Sequence, residues 1–260
     1  MSDNSYHKMI KPASGLPLDA VILDTDTKFK EGRVPKVGTQ IKTQDGRCFR
    51  LCSAAAVHVA GEMVGVTTAQ ATEIAGALSA VSAGATEITL DCSGIDILGA
   101  GSGVMTKDLL AGGYLMLTDG AGEGYSYPIV GNTVDDSDDI FTIYLGEAIK
   151  VATSASTTDC IVVGSKYRKV IEGAVAISPI GCMMVPNTGA SASVESFFWV
   201  QTKGAACVLG AGTVGVPLKS STSGAVADSA EAGSGVYDTI VGYGLGTTSN
   251  GYACVDLCLD

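Results

Sequence analysis

The chain has 260 residues, enough to bury a sizeable core in one large domain or two smaller ones. Its net charge of −11 argues against a general affinity for nucleic acid, which requires a cationic surface. No uninterrupted apolar run reaches the roughly 18 residues of a membrane-spanning helix, so neither nucleic acid nor a membrane is an expected partner.

Residues 1–30 are predicted to form an extended N-terminal arm, because they contain three Pro or Gly residues and lack sustained apolar periodicity. Residues 1–50 hold nine Lys and Arg against six acids, a net charge of +3, whereas the rest of the chain has a net charge of −14. Such asymmetry is typical of a segment that meets an oppositely charged partner, and the alternative is a solvated segment with incidental lysines. The residues expected to contact the partner are Lys8, Lys11, Lys28, Lys30 and Arg33.

Short β-strand patterns begin after the arm. In residues 31–77, Asp45-Gly46 predicts a hairpin turn between "GTQIKT" and "RCFRLC", and "VHVAGEMVGV" predicts a pair of short strands around Gly61. The segment "TTAQATEIAGALSAV" has helical spacing at Ile74, Leu78 and Val81. We therefore expect at most one short helix in the chain.

Two further sets of strands complete the sequence, one in residues 78–165 and one in residues 166–260. Many short strands about ten residues apart predict an all-β protein with two small sandwich- or barrel-like domains. Strands near both ends of the chain have half-buried patterns and need partners. Residues 31–77 and 166–260 are therefore predicted to form one discontinuous β domain, with residues 78–165 as an inserted β domain.

No motif has the context that a cofactor or catalytic site requires. The run "GAGTVG" at residues 210–215 matches G-x-G-x-x-G, but Pro217 and a loop follow where a phosphate-binding helix is needed. The acidic residues 135–139 lack the Gly and the distal Glu of an EF-hand. His7 and His58 are far apart, and neither Cys-x-x-Cys nor G-x-S-x-G occurs. We predict no cofactor, no metal site and no enzymatic activity.

The eight cysteines are predicted to remain free thiols that act as small buried hydrophobes. The i, i+4 pairs Cys48/Cys52 and Cys254/Cys258 lie in alternating patterns, where four positions span about 13 Å and exceed disulfide reach. The polar start of the sequence lacks the apolar core of a signal peptide, so a reducing cytoplasm is expected.

The single tryptophan, Trp199, follows Phe197 and Phe198 in "SFFWVQTKGAACVL". On a strand, Phe197 and Trp199 face one side and Phe198 the other, so both faces are apolar and need cover. Aromatic side chains are enriched at protein interfaces. We interpret Phe197, Phe198 and Trp199 as a subunit-interface strand, with an internal core strand as the alternative.

Three segments carry a resemblance to a known family: "GGYLMLTDGAGEGYSYPIVGNT", "IFTIYLGEAIKVATSAST", and "SFFWVQTKGAACVLGAGTVGVPLKSSTSGAVADSA" with the later "IVGYGLGTT" and "VDLCLD". They resemble all-β structural proteins of tailed bacteriophages that decorate or cement the capsid. The resemblance covers about residues 30–260. The eight cysteines depart from the family's usual composition.

The resemblance implies a virion structural protein that binds the outer surface of the major capsid protein lattice and stabilises the head. It also implies a homotrimer that is made in the cytoplasm of the bacterial host and ends on the outer surface of the capsid. The alternative is a head-fibre, tail-fibre or adhesin-type β protein that binds a host receptor or a glycan.

Overall fold

A computed structural model describes residues 37–67, 71–74, 80–93, 96, 98, 104–155, 157–175, 177–187, 190, 195–229, 239–247 and 251–260. In this part of the chain the only helical element is one turn of 3-10 helix at Thr222–Gly224, and the predicted all-β fold is confirmed. The strands, numbered in chain order, are β1 (Gln40–Lys42), β2 (Cys48–Ala54), β3 (Met63–Gly65), β4 (Ala71–Ile74), β5 (Glu87–Asp91), β6 (Tyr114–Asp119), β7 (Ser126–Asn132), β8 (Ile140–Leu145), β9 (Asp159–Val163), β10 (Ile171–Glu172), β11 (Pro179–Met183), β12 (Ser196–Leu209), β13 (Pro217–Ser220), β14 (Val226–Asp228), β15 (Ile240–Thr247) and β16 (Tyr252–Cys258).

The chain divides into two compact units. The first comprises Met1–Val66 and Lys169–Asp260, and the second comprises Thr67–Arg168. The sequence placed the two boundaries after residues 77 and 165. Strand β4 pairs with β9, so the second unit begins before the predicted boundary at its N-terminal side.

The first unit contains a ten-stranded sheet, in which strands from both ends of the chain are neighbours. Its main path runs β10-β3-β11-β12-β16-β15-β13-β14, with β2 joined to β12 and β1 joined to β2. The 14-residue strand β12 organises this sheet, because its first half pairs with β2 and its second half pairs with β16. All pairings of β12 are antiparallel.

Alternating side chains divide the first unit's sheet into a buried and an exposed face. In β16, Ala253, Val255 and Leu257 are buried. They pack in one cluster with apolar residues of neighbouring strands, among them Val208, Leu218 and Val241. The side chains that alternate with them, including Cys254 and Cys258, are exposed, so the prediction that all eight cysteines are buried is wrong.

The hairpin predicted around Asp45-Gly46 is present. Strands β1 and β2 pair in antiparallel register, and the amide of Gly46 donates to the Thr43 carbonyl at 3.1 Å. Gly46 has φ = +86°, a left-handed conformation that glycine adopts without a Cβ clash. The turn chemistry therefore explains where the chain reverses.

The second unit is built on a six-stranded sheet with the order β4-β9-β6-β7-β8-β5. Buried and less buried positions alternate along the whole of β5, β8 and β9, and along β6 and β7 up to the last residue of each strand. The buried positions form one core, which residues outside the strands complete. Those completing residues are Cys92, Leu98, Met105, Leu109, Leu110 and Ile149.

Two local predictions differ from the structure. Ala71–Ile74 forms strand β4 and not a helix, because these residues pair with Cys160–Val163 in β9; Leu78 lies outside the described residues. The two halves of "VHVAGEMVGV" do not pair with each other either. His58 forms an isolated bridge with Asn187, while β3 pairs with β10 and β11.

Candidate functional site

The predicted interface strand is the first part of β12. Phe198 and Trp199 are only 4% and 5% exposed, and Phe197 is half-buried. Trp199 belongs to an apolar cluster with Phe49 and Leu51, both supplied by β2. This burial favours the alternative of an internal core strand for Phe198 and Trp199, since their side chains are covered by the chain itself.

The predicted arm, with Lys8, Lys11, Lys28, Lys30 and Arg33, lies outside the described residues. Its interpretation as a contact segment therefore stays a prediction that rests on charge alone.

A buried polar cluster surrounds His58 in the first unit. His58 Nδ1 lies 2.6 Å from Glu62 Oε1, and the backbone amide of His58 donates to Asn187 Oδ1 at 2.5 Å. The second carboxylate oxygen of Glu62 accepts from the Val59 amide at 2.8 Å. Asn187 donates to the Ala56 carbonyl and to Ser196 Oγ, both at 3.0 Å. The cluster ties the loop before β3 to the start of β12.

A His–Glu pair of this kind is also found in acid–base catalysis, where the carboxylate orients the ring. Here His58 is 2% exposed, and its Nε2 has no hydrogen-bond partner among the described residues. The ring lies 6.3 Å from that of Phe198, centroid to centroid, so its surroundings are apolar on that side. Because the ring is closed off from solvent, this arrangement fits a clamp between loops better than a site that a substrate enters.

A second polar cluster collects hydrogen bonds at Asp260. Its carboxylate accepts from Arg50 Nη2 at 3.0 Å, from Gln40 Nε2 at 2.9 Å and from Thr202 Oγ1 at 2.5 Å. Partial burial raises the pKa of this carboxyl, but the hydrogen bonds and the Arg50 charge outweigh that effect and hold the pKa below 3.8. The cluster connects the end of the chain to β1, β2 and β12, and we interpret it as a contact that stabilises the fold.

The two motifs rejected from the sequence have structural roles. After residues 210–215 the chain continues as strand β13, so the helix that would hold a pyrophosphate does not follow this motif. In the acidic run, Asp136 Oδ1 accepts from the amides of Asp138 and Ile140 at 2.9 and 3.0 Å, which closes the turn before β8. Within the described ranges no group of three or more His, Cys, Asp or Glu side chains is arranged to hold a metal ion.

The outer face of the six-stranded sheet carries a row of apolar side chains, which we call the outer stripe: Tyr114, Pro128, Val130, Tyr144 and Val163. Tyr114 lies directly opposite Pro128 on one side and Val163 on the other. Tyr114 and Tyr144 are 48% and 37% exposed, and Val130 is exposed at the bulge between Ile129 and Gly131. The row therefore crosses β9, β6, β7 and β8.

Glycine keeps the outer stripe continuous. A Cβ added at Gly146 would lie 3.2 Å from Val130 Cγ1 and 3.3 Å from Pro128 Cγ, so these two side chains close over the glycine. The sequence signal for the stripe was available, because β6 and β9 carry apolar residues at their outward positions as well as their inward ones. The sequence alone does not predict the stripe, because the order of the strands in the sheet decides whether outward-facing residues of different strands are neighbours.

No helix in the part of the chain that the structure describes has the length and apolar character needed to cross a membrane. No family model, no curated protein and no solved structure matches this chain.

Proposed function

We propose that this protein is a virion structural protein that binds the outer surface of the major capsid protein lattice of a tailed bacteriophage and stabilises the head. The observation that carries the proposal is the outer stripe. Monomeric proteins rarely expose large contiguous apolar patches, and such patches mark protein contact sites. A row with two tyrosines on a sheet is a rigid surface of the composition that interfaces favour.

Charge supports the same partner class. The basic residues are concentrated in the first 50 positions, while the remaining chain has a net charge of −14. The basic segment is suited to an acidic protein surface, and its contacts would weaken with added salt. The resemblance to capsid decoration proteins is what identifies that surface as a capsid lattice. No enzymatic activity is part of this proposal.

The proposal is tested with heads of the encoding phage that lack this protein, incubated with purified protein and sedimented. We expect Tyr114→Thr/Tyr144→Thr to lower the affinity for heads at least tenfold, because the variant removes both aromatic rings of the outer stripe. Tyr243→Thr is the matched control, since Tyr243 is 49% exposed in the other unit. Undiminished binding of the double variant contradicts the assignment of the stripe.

Deletion of residues 1–30 tests the arm in the same assay. We expect the truncated protein to fold and to lose most of its binding, and the remaining binding to respond less to salt. Full occupancy by the truncated protein would show that the body alone carries the attachment.

Cryo-microscopy of the virion separates the proposal from a fibre or adhesin. Density spread over the head lattice supports capsid decoration, while density on the tail or at isolated vertices supports receptor or glycan binding.

We also propose that the protein is a homotrimer, because threefold and quasi-threefold capsid positions favour trimers. Light scattering that finds a monomer at micromolar concentration contradicts a preformed trimer.

A further inference from the structure

Two exposed thiols face each other on neighbouring strands of the first unit. Cys207 of β12 and Cys254 of β16 are register partners in the antiparallel ladder. Both are exposed, and Cys258 of β16 is exposed as well, whereas the other five cysteines are buried. Exposure makes this pair accessible to small reagents in solution.

The hydrogen-bond pattern identifies the type of pair. The Gly210 amide donates to the Gly251 carbonyl at 2.8 Å, and the Leu259 amide donates to the Thr202 carbonyl at 2.9 Å. Hydrogen-bonded and non-hydrogen-bonded pairs alternate along an antiparallel ladder, and counting inward from either bond makes Cys207 and Cys254 a non-hydrogen-bonded pair. The Cα atoms of such pairs are about 4.5 Å apart, within the range of disulfides.

The side chain of Cys254 also has room to turn. On the far side of β16 its neighbour is Gly246, and a Cβ added there would lie 3.9 Å from Cys254 Sγ. The sulfur therefore adjoins a position that has no side chain to hold it. A rotation about χ1 is the movement that the disulfide requires of Cys254.

We propose that Cys207 and Cys254 form a cross-strand dithiol site that a low-molecular-weight disulfide, such as oxidised glutathione, converts to an intramolecular disulfide. One thiol, as its thiolate, attacks the reagent, forms a mixed disulfide and releases one reduced thiol. The second thiol then attacks the protein sulfur of the mixed disulfide, and a second reduced thiol leaves. Two protein thiols are oxidised and one reagent disulfide is reduced to two thiols.

The other cysteines are poorly placed for this reaction. Burial raises the pKa of the Cys182 thiol to about 12 and that of the Cys92 thiol to about 11, which keeps both protonated and unreactive. Cys258 is exposed but lies opposite Lys203, so it has no cysteine partner across the ladder. It stands four positions from Cys254 on one strand, a separation of about 13 Å.

The test treats the folded, full-length, reduced protein with oxidised glutathione and maps tryptic peptides by mass spectrometry without reductant. We expect peptides 204–219 and 220–260 to be joined, the intact protein to lose two hydrogen atoms, and a reductant to reverse both changes. The join should persist in Cys258→Ser and be absent from Cys207→Ser and Cys254→Ser. The joined protein should also have a higher melting temperature than the reduced protein.

Wild-type protein without joined peptides overturns the proposal, as does a lasting glutathione adduct in place of the join. A join that disappears in Cys258→Ser assigns the bond to Cys258 and overturns it too. Since these readouts need only the wild type and Cys258→Ser, the test does not depend on the folding of the other variants. The proposal stands or falls separately from capsid binding, which the assay does not involve.

Discussion

Trp199 lies directly opposite Leu51 across the β2–β12 ladder, and both side chains belong to one small apolar cluster. The two residues are far apart in the sequence. Leu51 is fully buried and Trp199 is nearly fully buried. Trp199 is the only tryptophan, so its fluorescence reports on this cluster alone.

Leu51→Ala should lower the free energy of unfolding by about 2–5 kcal/mol, because it removes buried methyl groups and leaves a cavity beside Trp199. Urea denaturation followed by Trp199 fluorescence measures the change. Val59→Ala, at a position that is 51% exposed, should change the free energy by less than about 0.5 kcal/mol. Equal effects of the two substitutions contradict the burial of this cluster.

The emission maximum of Trp199 should not depend on protein concentration, because residues of the same chain cover the indole ring. The measurement is a dilution series of the native protein, with oligomeric state followed in parallel by light scattering. A red shift of the emission maximum on dissociation would show that Trp199 lies in a subunit interface, as the sequence predicted.

Asp260→Asn should destabilise the protein by about 1 kcal/mol at neutral pH, since it removes a partly exposed ion pair with Arg50. The folded-state pKa of Asp260 is lowered, so its contribution is complete above the unfolded-state pKa near 4. That contribution is lost as the pH falls through the lower folded-state pKa. The wild type and the variant should therefore converge in stability in acid.

Denaturation curves from pH 7 to pH 2 measure this convergence. Asp256→Asn is the control, because Asp256 is an exposed carboxylate on β16 and its replacement should leave stability unchanged within about 0.5 kcal/mol. A constant difference between wild type and Asp260→Asn across the range contradicts the assigned role.

Glu62→Gln should cost about 1–3 kcal/mol of stability, since an amide group replaces one of two acceptors that face N–H groups of His58 and Val59. Urea denaturation followed by Trp199 fluorescence is again the measurement. Glu172→Gln, on the exposed side of β10, should be neutral. A neutral Glu62→Gln would show that the buried cluster is no clamp.

Two glycines of the β6–β7 turn should respond differently to alanine. Both have positive φ, +76° for Gly120 and +86° for Gly124, but a Cβ at Gly120 would lie 1.8 Å from the Thr157 carbonyl oxygen, while the space at Gly124 is open. Gly124→Ala should cost about 1 kcal/mol from backbone strain. Gly120→Ala should cost about 3 kcal/mol or more, because backbone must also move. Thermal unfolding followed by circular dichroism compares them, and equal costs contradict the close approach.

Local pattern by itself determined the all-β class, the two-sided alternation of β16 and the turn at Asp45-Gly46. Each follows from side chains that alternate along one strand or from the conformational freedom of one glycine. The absence of a helix after residues 210–215 followed in the same way from Pro217 and the loop composition.

Only the tertiary structure decided which apolar face is covered and by what. Trp199 is buried because β2, far away in sequence, pairs with the first half of β12. Ile74 begins a spacing that also suits a helix, and pairing with β9 makes residues 71–74 a strand. Strand order and register also decide that Cys207 lies opposite Cys254 and that the outer stripe is continuous. Local alternation does not encode those long-range pairings, because any strand of matching pattern satisfies it equally well.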